Sequence, residues 1–395
     1  MIPRDPSTPL RCAQDDRWNT ADEIVAVRIL IAPDKFKGAL NAREVAENIA
    51  QGLRDALQDV EIDIVPMADG GEGTAEAICD ARGGSWLKCK AHDPRSREID
   101  ARYAWIESGK IAVMEMSEAA GMRRLSESER DPVRATTFGV GEMILDAADR
   151  GANEIIVGLG GSATNDGGFG MARALGFRFD YERDHKKGEA RVTDLLALKG
   201  IEKPKDLELS KIIAAVDVKN PLLGKNGATR VFGPQKGASQ NELDILERAV
   251  TRLADVVAKE FGFDYRNEAG AGAAGGLGFG LMSFCAAKVR PGFDVAAEAV
   301  GLESKIKDAD VVITGEGSLD RQTLEGKTPG GVARLARKLG KPVFAIVGRA
   351  IKDPDVREIF DAVYENARPG MTQEENMKRA ADLVRENARA LARAL

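Results

Sequence analysis

Histidine is nearly absent from this chain. Two occur in 395 residues, His92 and His185, both in charged, loop-like surroundings. Acid–base chemistry must therefore run on carboxylates, lysines and backbone amides. Cysteine is scarce too: Cys12, Cys79, Cys89 and Cys285 lack CxxC spacing, which indicates neither a zinc site nor a disulfide framework. Reduced thiols in a cytoplasmic protein fit that pattern. No apolar run approaches the ~20 residues of a membrane span. A surplus of positive charge is missing as well. At a net charge of −6 with mixed signs, nothing draws the chain to nucleic acid or to an anionic membrane. Residues 1–25 carry Asp5, Asp15, Asp16, Asp22 and Glu23 and no apolar core, so they do not read as a secretory signal. We expect a disordered tail there, with translation starting near Val25 or Val27.

Glycine is what the chain has in abundance: 42 residues, about 11 %, against roughly 7 % on average. The surplus gathers in a few loops, as ligand-binding turns require. The stretch EIIVGLGGSATNDGGFGMARALGF, residues 154–177, shows the pattern. A short buried strand leads into a glycine-rich turn with Ser162, Thr164, Asn165 and Asp166, and a helix follows from about Gly168. Such a turn lets backbone approach a ligand, and the helix N-terminus offers N–H groups to an anion.

The same alternation runs along the chain. VRILIAP (27–33) reads as a buried strand, followed by a helix for which Asn41 and Glu44 have capping-box spacing, then strand EIDIVP (61–66). Residues 85–116 read as three short strands of a small antiparallel piece. Thr136 or Thr137 caps a helix running to 151, and 180–206 is charged and reads as surface. A strand at 211–218, a helix at 241–261 and a glycine-rich turn at 269–287 follow. Strict β–α alternation returns from 309, and a helix at 373–394 closes the chain. We expect two α/β domains. A discontinuous, Rossmann-like doubly wound domain (26–70 plus 295–395) holds a second α/β domain (71–294) inserted in it, with a cleft between them.

Five turns at the C-terminal ends of expected strands carry acids or lysines: Asp34/Lys35/Lys37, Asp69/Glu72, Ser162/Asn165/Asp166, Asp217/Asn220 and Glu316/Asp320/Lys327. Open α/β sheets bind ligands at those ends. Shorter nucleotide patterns fall away. GKT at 326–328 is not a P-loop, because the first glycine of GxxxxGK[ST] falls at Arg321. GLGGSA (158–163) fits GxGxxA with Asp180 about 20 residues on, and GAGAAG (270–275) fits GxGxxG without a preceding strand; a glycine-rich chain makes such matches cheaply. The density of acids, with Lys37, Lys236 and Lys327 in the same turns or loops, fits phosphoryl transfer. That chemistry needs Mg²⁺ held by oxygen ligands, cations on the phosphoryl oxygens and a base for the attacking hydroxyl. An NAD-dependent oxidoreductase would need fewer acids and a histidine or tyrosine. A non-catalytic small-molecule-binding protein is the other alternative.

Taken together, these turns resemble the bacterial type I glycerate kinase family (glycerate 2-kinase). The resemblance rests on PDKFKG (33–38), PMADGGEGT (66–74), RDPVRATTFGVGE (130–142), GLGGSATNDGG (158–168), DVKNPLLGKNGA (217–228), VFGPQKGA (231–238), AGAAGGLGFGL (271–281) and TGEGSLDRQTLEGK (314–327). They run in family order over nearly all of 27–395. The resemblance implies ATP- and Mg²⁺-dependent phosphorylation of D-glycerate, giving 2-phosphoglycerate in the usual members, with 3-phosphoglycerate the alternative. D-glycerate is then the partner, with no nucleic acid or membrane, and a homo-oligomer is left open. In this frame Lys37 and Lys236 pair with the substrate carboxylate or the transferring phosphate. Asp166, with Asn165 and Ser162, holds Mg²⁺ or the phosphates. Asp217 or Asp320 accepts the hydroxyl proton. Asp69, Glu72 and Glu316 serve as metal ligands or orient the lysines. Asp34, Lys35, Gly160, Gly161, Asn220, Gly275, Gly276 and Lys327 complete the expected binding set. The chain departs from the family at Lys35 and Ala39, where serine is usual, and at Ser318, where arginine is common and Arg321 stands three residues on.

Overall fold

Two sheets organise the chain in the computed structural model, which describes residues 27–182, 190–324 and 327–395. The expected tail (1–25) and His185 lie outside the described residues. Two units separate. The smaller takes in the described residues up to Pro66 with Glu303–Leu324 and Val332–Leu395; the larger takes in Met67–Leu302 with the stretch ending at Gly331.

The smaller unit has a five-stranded, all-parallel sheet in the order Ala362–Glu365, Val343–Val347, Val311–Thr314, Val27–Ile31, Val60–Ile64. Its central strands are unbroken apolar runs because helices cover both faces. Counted along the chain within the unit, the order is 2-1-3-4-5, a doubly wound arrangement. Its switch point lies between Val27–Ile31 and Val311–Thr314. Helix Ala42–Arg54 opens with the expected capping box: the Asn41 side chain accepts from the Glu44 N–H at 2.8 Å, and Glu44 accepts from the Asn41 N–H at 2.8 Å. Val45, Ile49 and Leu53 then face a core shared with Ala388 and Leu391 of the C-terminal helix Ala380–Ala392.

The larger unit has a six-stranded sheet in the order Lys288–Pro291, Lys211–Val216, Glu154–Gly158, Ile111–Glu115, Glu98–Ile106, Ser85–His92. The first four strands run parallel and the last two antiparallel. Residues 85–116 are therefore not a separate antiparallel piece. Ala112, Val113 and Met114 are buried, and alternate residues need cover on opposite faces, so Ile111–Glu115 joins Glu154–Gly158 inside the sheet. Helices Phe138–Asp149, Gln240–Phe261 and Ala273–Cys285 supply one core, around Ile155, Val157 and Ala214. Thr74–Ala81 and Gly292–Ala299 cover the other face, with Ile78 and Val295 against Val113, Ile156 and Ile213.

The stretch 180–206 also differs from the surface reading, where it is described. Arg178–Tyr181 and Leu198–Glu202 form an antiparallel pair, and Val192, Leu195, Leu198 and Ile201 are buried. Their roughly threefold spacing was hidden among charged neighbours. Cys79, Cys89 and Cys285 are unpaired and buried, and burial pushes the Cys89 and Cys285 thiols up to about 12. Among the described residues no helix is long and apolar enough to cross a membrane.

Candidate active site

In the larger unit, strands Ile111–Glu115, Glu154–Gly158 and Lys211–Val216 end on one edge of the sheet, and the glycine turns lie over those ends. The contacts are backbone on backbone. A Cβ on Gly160 would lie 2.6 Å from the Gly71 Cα, which places ADGGEGT directly on the 158–161 turn. A Cβ on Gly275 would lie 1.9 Å from the Thr164 carbonyl oxygen, and Gly275 also sits at φ +70°, a left-handed conformation that favours glycine. Ala274–Gly276 all have positive φ, so the 269–287 segment breaks before its helix and lies across the 164–168 loop. The Gly167 N–H donates to the Gly275 carbonyl at 3.1 Å.

Asp166 occupies a different place from the one expected of a metal or phosphate ligand. Its carboxylate is 1 % exposed and accepts from four protein donors. These are the Thr137 N–H (3.0 Å), the Thr137 hydroxyl (2.9 Å), the Gly168 N–H (3.1 Å) and the Gly170 N–H (3.1 Å). Burial pushes its pKa up, and the hydrogen bonds pull against that. Thr137 stands at the N-cap of Phe138–Asp149, and its side chain, instead of bonding the helix's own first turn, ties Asp166 to Met171, whose N–H donates to its hydroxyl at 2.9 Å. Asp166 is thus the clasp that shapes the loop. Replacing it by asparagine sets an amide donor against donors, and we expect a loss of about 3 kcal/mol or more of stability. A urea unfolding midpoint equal to wild type would contradict that role.

The residues beside Asp166 include buried polar atoms that no protein group meets. Asn165 is fully buried; its amide nitrogen donates to the Thr229 hydroxyl at 2.9 Å, while its Oδ1 has no protein partner. The Thr164 and Ser117 hydroxyls are buried without partners too. Lys236 is 2 % exposed, and its ammonium donates to the Thr164 carbonyl at 2.7 Å. Burial lowers its pKa to about 7, against the field of Asp166, which raises it. Ser162 is buried in a bridge to Gly121, with the Ala163 N–H on the Ala120 carbonyl and the Met122 N–H on the Gly161 carbonyl. Asn220 holds its own loop, donating to the Asn226 carbonyl and accepting the Gly272 N–H on its main-chain oxygen. Asp217 is exposed just past the end of Lys211–Val216.

A charged cluster beside the 69–74 turn went unread in the sequence. Glu115 ends its strand and accepts from the Gly73 N–H at 2.8 Å and the Ala75 N–H at 3.3 Å. Burial, the larger effect, raises its pKa. Arg123 reaches Glu118 at 2.5 Å, Glu72 at 3.8 Å and Glu115 at 3.9 Å, and Arg124 reaches Glu118 at 2.8 Å. The signal was available: MSEAAGMRR directly follows an apolar strand, as the five chosen turns do. Asp69 accepts the Gly71 N–H at 3.3 Å.

In the smaller unit the expected residues gather at the switch point. Asp34 follows Val27–Ile31, is 6 % exposed, and accepts from the Lys35 N–H at 2.7 Å. Lys37 is exposed, and a Cβ on Gly317 would lie 3.3 Å from its main-chain nitrogen. Glu316 follows Val311–Thr314 and accepts the Thr323 hydroxyl at 2.8 Å; the same hydroxyl oxygen receives the Asp320 N–H at 3.2 Å. Lys327 falls with the larger unit. The dinucleotide pattern fails on geometry. The helix after GLGGSA begins only at Phe169, and Asp180 lies in the antiparallel pair rather than at a parallel strand end.

Among the described residues no group of three or more His, Cys, Asp or Glu is arranged as a metal site. Mg²⁺ at a phosphate commonly takes one or two carboxylates and completes its shell with phosphate oxygens and water. Asp69 and Glu72, on the glycine turn, fit that sparse set. Asp166 does not, since protein donors already occupy it.

Glycine turns over parallel strand ends, with a buried ammonium and unpartnered hydroxyl groups beside them, define an α/β protein with the donors that an anion such as a phosphate group needs. The model of the glycerate kinase family matches residues 29–395. The glycerate kinase of Halalkalibacterium halodurans is 38 % identical over 374 residues, covering 92 % of this chain and 97 % of that one. The glycerate 2-kinase of Escherichia coli K12 is 39 % identical over 375 residues, covering 93 % and 98 %. A solved structure described as glycerate kinase 2 of Salmonella typhimurium LT2 superposes with a TM-score of 0.81 at 40 % identity, covering 93 % of this chain and 98 % of that one. The chain belongs to the glycerate kinase family, and it is a kinase-class enzyme.

Proposed function

We propose that the protein is a cytoplasmic, Mg²⁺-dependent kinase that transfers the γ-phosphoryl group of ATP to the 2-hydroxyl of D-glycerate. Membership of a kinase family implies ATP as co-substrate. The observation that carries the reading is Lys236: a buried ammonium on the Thr164 carbonyl, beside hydroxyl and amide oxygens without protein partners. A phosphate supplies the acceptors that this ammonium lacks, and a charge-assisted contact in such a place is strong. The name of the Escherichia coli relative supports the 2-hydroxyl. Three unpaired thiols support a reducing compartment.

In this reading the hydroxyl of glycerate attacks the γ-phosphorus in line, its proton passes to a carboxylate, and ADP leaves. Lys236 and the 158–168 turn hold phosphate oxygens in fixed positions. Asp217 or Asp320 takes the proton. Asp34, Lys35 and Lys37 offer one anionic and two cationic groups for a small hydroxy acid. Asp69 and Glu72 would hold Mg²⁺, which neutralises phosphate charge when bound. A coupled ADP-release assay with D-glycerate, L-glycerate and related hydroxy acids tests the activity, and ³¹P NMR of the product tests the regiochemistry. We expect ADP with D-glycerate and a 2-phosphoglycerate resonance. No ADP with any acceptor would leave a binding protein.

A further inference from the structure

Outside the strand-end site, the larger unit holds a cavity of about 410 Å³ whose charged lining, among the described residues, has one sign. Among the described residues Arg95, Arg134, Arg173 and Arg191 line it together with His92, and no Asp or Glu does. The four arginines come from four separate segments. Arg95 stands in the turn after strand Ser85–His92, where Asp93 accepts the Arg95 N–H at 2.8 Å and the Arg97 N–H at 3.0 Å. Arg134 lies in the approach to Phe138–Asp149, its N–H on Asp131 at 3.3 Å. Arg173 comes from Phe169–Ala174, and Arg191 precedes the turn Val192–Ala197.

None of these guanidinium groups is matched to a carboxylate among the described residues. Arg95 donates to a main-chain carbonyl, that of Glu129, at 3.1 Å. Arg173 lies over the Phe138 and Phe169 rings at 5.7 and 5.6 Å. Asp93, Asp131 and Asp194 accept main-chain N–H groups of the lining arginines, and Glu142 takes His92 Nδ1 at 2.8 Å and so orients that ring. Five arginines elsewhere, Arg97, Arg123, Arg124, Arg150 and Arg266, each have a carboxylate partner. Gathering four uncompensated guanidinium groups around one cavity raises their mutual repulsion, which an anion relieves. Planar forks on several sides suit a molecule with more than one anionic group.

We propose that this cavity binds a small polyanion, a metabolite carrying two or more phosphate or carboxylate groups, at a site separate from the phosphate loop. Its wall runs through Thr136 and Phe138, which flank the Thr137 that holds Asp166. Occupancy therefore bears on the segment that shapes the loop. The test uses calorimetric titration of the full chain with pyrophosphate and, separately, citrate. The two backgrounds are Lys236→Met, which disables the loop, and Lys236→Met with Arg134→Ser and Arg191→Ser. Both arginines are exposed, so the substitutions spare the core. We expect the first background to bind at least one probe and the second to bind it at least tenfold more weakly. Preference for pyrophosphate or for citrate assigns phosphate or carboxylate as the recognised group. Equal affinity in the two backgrounds, or no binding of either probe to the first, overturns the proposal. Neither result bears on the kinase reading, which ADP release tests by itself.

Discussion

Replacing Lys236 by methionine is expected to leave the protein folded and to lower kcat/KM by about 10²–10³-fold, the range seen when one preorganised donor to developing charge is removed. The fold should survive because methionine fills similar space without a charge. An isolated buried ammonium destabilises a protein unless it is matched. The pH dependence carries the same information. Lys236 holds its proton near pH 10.5 when unfolded and near 7 in the fold. Its burial therefore lowers stability fully below about pH 7, and that loss is relieved as pH rises from about 7 toward 10.5. Bound phosphate favours the charged form, so ATP binding at pH 8 should draw a proton from solution. Calorimetry in buffers of different ionisation heat reads this uptake, and the Lys236→Met protein should show none of it. Unchanged turnover in the variant would remove Lys236 from the chemistry.

The second large effect concerns the base. Asp217 and Asp320 stand at strand ends of different units, and each has a different setting. Asp217 is exposed, whereas Asp320 is tied through its N–H to the Thr323 hydroxyl that also meets Glu316. One of the two asparagine variants should lose about 10²–10⁴ in kcat with little change in KM, as removal of a general base does. The other should alter kcat by less than about tenfold. Single-turnover measurements keep product release from masking the step. Near wild-type kcat in both variants would exclude a carboxylate base at either position.

Much of this was legible before any coordinates. Strands such as VRILIAP and KIIAAVDV announce themselves because both their faces are covered, and the Asn41–Glu44 box is a local device that depends on no distant residue. Other features were hidden for equally physical reasons. The parallel pairing of Ile111–Glu115 is a long-range choice that periodicity cannot express. Asp166 looks from sequence like any acid on a glycine loop; four donors, two of them on Thr137, decide that it holds the loop together. Glu115 and Arg123 were missed because neither sits among glycines, the marker used to choose turns. The basic cavity joins four arginines from segments spread over about a hundred residues, and no window along the chain brings them together.

The glycine turns laid on one another carry a consequence for variation. At Gly160 against Gly71, and at Gly275 against Thr164, main chain touches main chain, and a methyl group added to Gly160 or Gly275 has nowhere to go. The floor of the site is therefore closed to gradual adjustment by substitution. Adaptation to a different acceptor must be written in side chains instead, such as Lys35, Lys37 and Ser318 of the smaller unit. A saturation library should then read as failure at Gly160 and Gly275 and tolerance, with drifting selectivity, at Lys35, Lys37 and Ser318.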